Sequence, residues 1–331
     1  MMGAAILLVW ALVQQPGAGE QLLEAGQLDR AREAFERALQ LDPGQFAALS
    51  GMGFIHYSQG RFSEARSYLE RAVLARPNSF QARFLLGATL VQLNQSKAAI
   101  RELRAANRLN PAHADARKLL AAEYTASRQF KEAIALLEPA VNTVPYDEET
   151  HLLLIGARQS AGDSAGSFEL ASRAARRFPR SPRVAAWLGF QLQFTGRYEE
   201  AQGYLRKAIG LDPAYAVPYQ LLGEVFLKLE DYAEAVSWFR KAAQRMPEDV
   251  ETLLGLGRAL AEAGDAAGGL EVLRGAARIA PDNAQVRLQL SRLYFRMGDE
   301  ENARKEADLS VKLRTPGPNL VEAPAALRTP R

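Results

Sequence analysis

Three histidines are the side chains best suited to metal binding in this sequence, and their spacing argues against that role. His56, His113 and His151 lie far apart, and no two have the short spacing that presents zinc ligands together. The sequence contains no cysteine, so thiolate metal sites, cysteine nucleophiles and disulfides are excluded. We therefore predict no metal site, and we expect His56 to pack within a helix and His113 to lie in a turn.

Two glycine-rich runs and two carboxylate pairs are the other candidates for chemistry. The runs 51–53 (Gly-Met-Gly) and 255–257 (Gly-Leu-Gly) look like fragments of a phosphate loop, but they lie in helical patterns with no preceding strand. Close helix packing explains them better. The glutamate pairs at 199–200 and 300–301 fall at expected solvated helix starts, where they complement the helix dipole but lack the shielding that acid–base catalysis needs. The sequence thus predicts neither catalytic nor cofactor-binding residues.

The charge balance indicates no nucleic-acid partner. The chain has 41 basic and 38 acidic residues, a formal net charge of +3, which is too small an excess for a polyanion-binding field. Arginine is locally concentrated between positions 173 and 183. A solvated helix C-terminus is the simpler interpretation, and a patch for an acidic partner is the alternative.

The N-terminal segment 1–19 differs from the rest of the chain. Positions 1–13 form an uncharged apolar run, and small residues near Ala18 and Gly19 offer a processing site, as in a secretory signal that lacks its basic start. About 13 apolar residues are too few to span a bilayer comfortably. We expect residues 1–19 to be a signal peptide or apolar leader and the protein to be exported, periplasmic or secreted, with a cytoplasmic location as the alternative. Membrane contact is expected only through this segment, if it is uncleaved.

Regularly spaced prolines mark the helical repeats that would position a binding surface. Eight prolines recur at a constant interval, at positions 43, 77, 111, 145, 179, 213, 247 and 281. Alanine stands five positions before each of them, a small residue twelve before, and a larger apolar residue eight before in nearly every repeat. Offsets of three and four place these columns on one helical face. The sequence therefore contains an internal 34-residue repeat.

Each repeat carries two helical stripes separated by a turn. Glycine at positions 60, 196, 264 and 298 lies between the stripes, where a positive φ ends a helix. Small residues at 53, 87, 121, 189, 223 and 257 face the second helix and allow close approach. The predicted fold class is all-α, a right-handed α-solenoid of about nine helix–turn–helix repeats, because one helix pair cannot bury its apolar face alone.

The pattern resembles the tetratricopeptide repeat family. The residues that carry the resemblance most clearly are Tyr219, Leu222, Gly223, Phe226, Ala235, Phe239 and Pro247. The predicted solenoid spans residues 20–314, in units of about 20–45, 46–79, 80–113, 114–147, 148–181, 182–215, 216–249, 250–283 and 284–314. Residues 315–331 are expected to form a flexible proline-rich tail. The unit 148–181 departs from the pattern at Ile155 and Ser167. In the preceding unit, Pro139 is expected to bend the second helix.

The resemblance implies a non-catalytic protein whose first helices line a concave groove for a partner peptide or helix. Off the packing stripe of these helices, the candidate groove residues are Phe54, Tyr57, Phe84, Phe190, Phe194, Leu227, Arg258, Arg292, Phe295 and Arg296. The alternative is that some of these aromatics pack against neighbouring helices. The family's carboxylate clamp is not expected, because Ala122 stands one turn after Lys118 where asparagine is needed.

The leading hypothesis is therefore a protein–protein interaction scaffold that serves an exported or envelope assembly. It is not an enzyme, needs no cofactor, and binds a protein or peptide. Two alternatives stay open: a substrate-recruiting relative or arm of a glycosyltransferase-type enzyme, and a membrane-tethered assembly factor. The sequence does not determine the oligomeric state.

Overall fold

The phased prolines and the residues around them set the helix boundaries in the computed structural model. The structure describes residues 17–142 and 147–313, so the apolar run 1–13 and the tail 315–331 lie outside the described residues. The chain divides into two compact units, Met1–Tyr146 and Asp147–Arg331.

Unit 1 holds eight α-helices and a 3-10 turn in its described part. These are α1 (Ala18–Glu24), α2 (Leu28–Leu41), α3 (Phe46–Ser58), α4 (Phe62–Ala75), α5 (Phe80–Gln92), α6 (Ser96–Leu109), α7 (Ala114–Ala126), α8 (Phe130–Leu137) and the 3-10 turn Ala140–Asn142. Successive helices pack as antiparallel pairs, and each pair packs on the next. The boundary expected between positions 19 and 20 falls within the first turn of α1.

Unit 2 continues the same pattern with ten described helices. These are α9 (Glu148–Ser160), α10 (Ser164–Arg177), α11 (Pro182–Phe194), α12 (Tyr198–Leu211), α13 (Val217–Lys228), α14 (Tyr232–Arg245), α15 (Val250–Glu262), α16 (Ala266–Ile279), α17 (Ala284–Arg296) and α18 (Glu300–Leu313). The described residues contain helices and no strands, and the predicted all-α solenoid fold is confirmed.

The first helix of most repeats starts at a polar residue two positions after the phased proline. Ser79, Ser181 and Asp249 occupy this position, and each accepts a hydrogen bond from the backbone N–H three positions later. Such caps satisfy an N–H that the helix leaves unpaired. The proline therefore ends one helix, and the residue two positions later starts the next.

The turn between the two helices of each repeat contains a left-handed residue. Among the described residues, nine positions, one per repeat and evenly spaced, have φ between 56° and 92°: Gly26, Gly60, Asn94, Arg128, Gly162, Gly196, Glu230, Gly264 and Gly298. The glycines predicted at 60, 196, 264 and 298 are confirmed in this role. Three repeats instead hold a residue with a side chain there, and a side chain in this conformation costs about 1–2 kcal/mol.

Replacing the two charged residues of this series by glycine is expected to stabilise the protein. Arg128 and Glu230 are both exposed, so Arg128→Gly and Glu230→Gly remove backbone strain without removing buried contacts. We expect a gain of about 0.5–1 kcal/mol each, offset in part by the entropy of glycine in the unfolded chain. Urea denaturation followed by circular dichroism measures the change. Gly264→Ala should lower stability by a similar amount, and equal midpoints for all variants would contradict the strain argument.

The small residues of the first helices accept a large side chain from the second helix. A Cβ atom placed on Gly223 would lie 2.7 Å from the Phe239 ring, and one placed on Gly255 would overlap the ring more severely. Phe239 is therefore held between α13 of its own repeat and α15 of the next. Phe35 is held in the same way, since a Cβ atom on either Gly19 or Gly51 would overlap its ring. The close approach predicted at Gly51, Gly223 and Gly255 is confirmed, whereas that at Gly19 was not predicted.

The departures in the unit 148–181 are accommodated by a buried hydrogen-bond network. The Ser167 hydroxyl donates to the Ile155 carbonyl at 3.0 Å, and the Gln191 side-chain amide donates to Ser167 Oγ and to Gln159 Oε1 at 2.6 and 2.9 Å. Buried polar groups are stable only when paired in this way. Polar pairing thus replaces part of the apolar packing between α9, α10 and α11.

The expected bend at Pro139 is wrong. Helix α8 ends at Leu137, before the proline, and a short 3-10 turn follows at Ala140–Asn142. The reason is that a proline clashes with the carbonyl four positions earlier and disfavours helix at the residue before it. The helix stops after 8 residues, whereas α4 and α6 of the same unit each have 14.

Candidate functional site

The aromatic groove residues expected in unit 1 mostly pack inside the protein. Phe54 and Phe84 are buried, and the Phe84 ring stacks on Phe80 with centroids 5.7 Å apart. Tyr57 is partly exposed and meets the edge of Phe62 at 5.6 Å. Of these three predicted residues, Tyr57 alone keeps appreciable surface for a partner. The other two belong to the interior, as the alternative interpretation anticipated.

Unit 2 brings part of the predicted set to an open face. Phe190 is 1% exposed, since Trp187 and Phe194 both pack edge-on against it at 5.6 and 4.8 Å. It supports the surface and does not form it. Phe194 is 49% exposed. The position of Phe190 in the predicted groove is therefore corrected: its ring belongs to the core beneath Phe194.

A cavity of about 430 Å³ lies on the face formed by the first helices of unit 2. It is lined by Gln193, Phe194, Tyr198, Glu224, Leu227, Lys228, Phe239, Glu251, Leu254, Gly255, Arg258, Gln285 and Gln289. Most of these residues come from α11, α13, α15 and α17. The cavity therefore unites the predicted residues Phe194, Leu227 and Arg258, and its size is within the range of ligand pockets.

Glu224 is the most unusual group in this cavity. Burial raises its pKa from 4.5 to about 7, hydrogen bonds from Gln193 and Gln220 oppose the change, and the nearby Glu251 carboxylate adds to it. The amide nitrogens of Gln193 and Gln220 donate to the carboxylate at 3.1 and 3.2 Å. Within the described ranges, no lysine or arginine forms an ion pair with Glu224. The cavity thus holds an acid that the fold has desolvated without neutralising it.

The arginine end of the predicted surface lies beside this cavity. Arg258, Arg292 and Arg296 line a neighbouring cavity of about 420 Å³ between α15 and α17. Arg296 donates to the Ala261 carbonyl at 3.0 Å and to Glu262 at 2.8 Å, and the latter hydrogen bond lowers the pKa of Glu262. Arg258 and Arg292 are exposed and form no ion pair with another described residue.

Phe295 contributes to neither cavity. It is 71% exposed on α17 and is absent from the lining of both concave surfaces. The helical period placed Phe295 on the groove face of its helix, but the neighbouring helices do not enclose it in either cavity. Phe194, Leu227 and the arginines are therefore the members of the predicted set that share one face.

Sequence reasoning missed Gln193, Glu224 and Glu251. A signal was available for Glu224, because it is a lone acid within the otherwise uncharged run 217–227 of a buried helix. Such a residue is rarely buried without a partner or a function. Nothing in the pattern marked Gln193 or Glu251, whose roles depend on the helices that face them.

The histidines have structural contacts. His56 stacks on Tyr68 with centroids 5.2 Å apart, and His113 caps α7 by accepting the Ala116 N–H at 3.2 Å. Both predictions for these residues are confirmed. Residues 17–142 and 147–313 contain no group of three or more histidine, aspartate or glutamate side chains placed to hold a metal ion. In the same ranges, every helix is too short or too polar to cross a membrane.

Comparison with known families and structures agrees with the repeat geometry. Two family models, both described as tetratricopeptide repeat, match the chain, one at residues 22–86, 57–123 and 260–312 and the other at 192–250 and 221–284. Together they cover more than half of the sequence. The chain belongs to the tetratricopeptide repeat family. Its repeats support a role as a protein-interaction scaffold. The tetratricopeptide repeat fold is typically non-catalytic.

Solved structures share the tetratricopeptide repeat fold at low sequence identity. A chain in the crystal structure of the APC/C hetero-tetramer Cut9-Hcn1 superposes with a TM-score of 0.60 at 16% identity over 93% of this chain. This chain spans 59% of that protein. A tetratricopeptide repeat protein from Parabacteroides merdae gives a TM-score of 0.57 at 16% identity, covering 78% of this chain and 100% of its own. No curated protein matches the sequence significantly.

Proposed function

We propose that this tetratricopeptide repeat protein is a non-catalytic scaffold that binds a peptide or helix of a partner protein on the first-helix face of unit 2. The observation that carries the proposal is the cavity bordered by Phe194, Leu227 and Arg258. Its rim combines an exposed aromatic ring with an arginine that has no ion-pair partner among the described residues. Aromatic and arginine side chains of this kind dominate the energetics of protein interfaces.

The proposed partner segment is an extended chain or an amphipathic helix. Both present side chains at regular intervals to a groove, and the first helices α11, α13, α15 and α17 also follow one another at a regular interval. The apolar run 1–13 supports a role in an exported or envelope assembly. Mass spectrometry of the mature N-terminus tests this part: a chain that retains residues 1–13 in the cytoplasm would contradict it.

Peptide selection tests the binding site. Random 12-residue peptides displayed on phage are selected on the full chain, and the dissociation constants of synthetic copies are then measured by isothermal titration calorimetry. The groove variant Phe194→Ala/Arg258→Ala is expected to weaken binding by about tenfold or more, because it removes an interface anchor and a charge. The selected peptides should not depend on the opposite face of the unit.

A matched control keeps this test specific. Leu211→Ala/Arg240→Ala removes an exposed apolar residue and an exposed arginine from the second helices of unit 2. It should change the dissociation constant by less than about twofold. Equal weakening by both double variants would contradict the proposed face, and so would a failure to select any peptide.

A further inference from the structure

Two carboxylates, those of Glu224 and Glu251, line the cavity in unit 2. We propose that the cavity at Glu224 receives a basic side chain, a lysine or an arginine, of the bound partner segment. This inference rests on the proposed function, because it names the chemistry that the same face selects.

Two acceptor groups of the cavity lining, the Glu224 carboxylate and the Gln193 side-chain oxygen, carry the argument. The Glu224 carboxylate is held by two amide donors, from Gln193 and Gln220, and has no ion-pair partner in the described ranges. The Gln193 side-chain oxygen is buried and has no hydrogen-bond partner among the described residues. Glu251 adds a second carboxylate to the lining. An ammonium or guanidinium group of a partner would supply Glu224 with the ion pair that it lacks in the described ranges, and the Gln193 oxygen with a donor.

Burial makes Glu224 a stronger attractor for a cation than an exposed glutamate. Its side chain is partly buried and has lost part of its hydration on folding, so binding of a partner adds less to the desolvation cost. Opposite charges also interact more strongly where the effective dielectric constant is low. The raised pKa of Glu224 is consistent with this isolated position.

The cavity walls suit the methylene stem of a long basic residue. Leu227 and Leu254 line the cavity with apolar side chains. Lysine and arginine bury their stems on such surfaces while the charged end reaches a polar group. An aspartate or glutamate would instead be repelled by the two carboxylates.

Two basic residues of the cavity act against a bound cation, and their positions limit the effect. Lys228 lowers the pKa of Glu224 but contributes least of the neighbouring groups, and Arg258 is exposed at the rim. Salt screens interactions between solvent-exposed charges far more than those of buried groups. A cation bound beside Glu224 would therefore be affected less by these exposed basic groups than by the Glu224 carboxylate.

Peptides selected on the full chain at pH 8 provide the test. We expect a lysine or arginine at one position of the selected sequences. Replacing that residue by norleucine should weaken binding to the unmodified protein at least tenfold, and binding to Glu224→Gln less than threefold, because the pair is then already broken. Circular dichroism confirms that Glu224→Gln is folded.

The pH dependence supplies a second readout. A proton on Glu224 competes with the basic side chain, so the unmodified protein should bind the selected peptide more tightly at pH 8 than at pH 6, and Glu224→Gln should lose most of that difference. The other polar and charged residues that face or border the site are the same in both proteins of this comparison: Gln193, Gln220, Glu251, Lys228 and Arg258.

The outcomes separate this inference from the function on which it rests. Peptides that depend on Phe194 and Arg258 but show no basic position would overturn the Glu224 assignment and leave the scaffold proposal standing. The same conclusion follows if norleucine weakens binding to both proteins equally. If no peptide depends on the groove residues, both proposals are overturned together.

Discussion

Phe239→Ala is expected to lower the free energy of unfolding by about 3–5 kcal/mol, the range for a phenylalanine removed from a well-packed core. The ring is fully buried in α14 and fills the space between Gly223 of α13 and Gly255 of α15. Glycine on both sides leaves no side chain that can move in to fill the resulting cavity. Urea denaturation followed by circular dichroism at 222 nm measures the loss.

Two further variants make the Phe239 result specific. Phe295→Ala removes the same side chain from an exposed position and should cost less than about 0.5 kcal/mol. Phe35→Ala repeats the experiment in unit 1, where the ring lies between Gly19 and Gly51, and should cost as much as Phe239→Ala. A Phe239→Ala protein with the unfolding midpoint of Phe295→Ala would refute the packing described for these glycines.

Glu224→Gln is expected to stabilise the protein at pH 8 and to have little effect at pH 4. The pKa of Glu224 is about 7 in the folded chain, compared with 4.5 as its ordinary value. Between these values the folded chain holds a proton that the unfolded chain has released, so this residue lowers stability as the pH rises through the interval. Each pKa unit corresponds to about 1.36 kcal/mol. The gain at pH 8 should therefore reach about 2–3 kcal/mol.

Thermal or urea denaturation across pH 4–8 checks this prediction. The difference in stability between Glu224→Gln and the unmodified chain should appear as the pH rises above 4.5 and level off above about 7. Glu262→Gln is a suitable contrast, since its hydrogen bond from Arg296 lowers the pKa and the substitution should not stabilise at pH 8. A pH-independent effect of Glu224→Gln would show that the carboxyl group is not desolvated in the folded chain.

The stability experiment and the peptide-binding experiment on Glu224 both depend on the desolvation of its carboxyl group. A carboxylate that destabilises the free protein at pH 8 gains more from a cationic partner than one that is already solvated or paired. Glu224→Gln is therefore expected to make the chain more stable and a poorer binder of basic peptides. At sites where function and stability conflict, a substitution that stabilises the protein weakens its function.

Part of the candidate site could be predicted from the sequence. Which of its side chains are buried by neighbouring helices could not. The helical period placed Phe194, Leu227 and Arg258 on one face of unit 2, where all three line one cavity. It also placed Phe190 there and Phe84 on the corresponding face of unit 1, although both are buried. A period of 3.6 residues assigns a side chain to a face of its own helix, and the depth of that side chain depends on helices that are distant in sequence.

The repeat itself is determined by the sequence alone. Evenly spaced prolines, small residues at the helix crossings and left-handed turn positions are local requirements of chain geometry, so their spacing is legible without a structure. The tertiary structure decided which polar groups are desolvated: Glu224 in the cavity lining, the Ser167–Gln191–Gln159 network, and the acceptor on Gln193. Desolvation is the sum of contacts from several helices, and no single segment of the sequence carries that information.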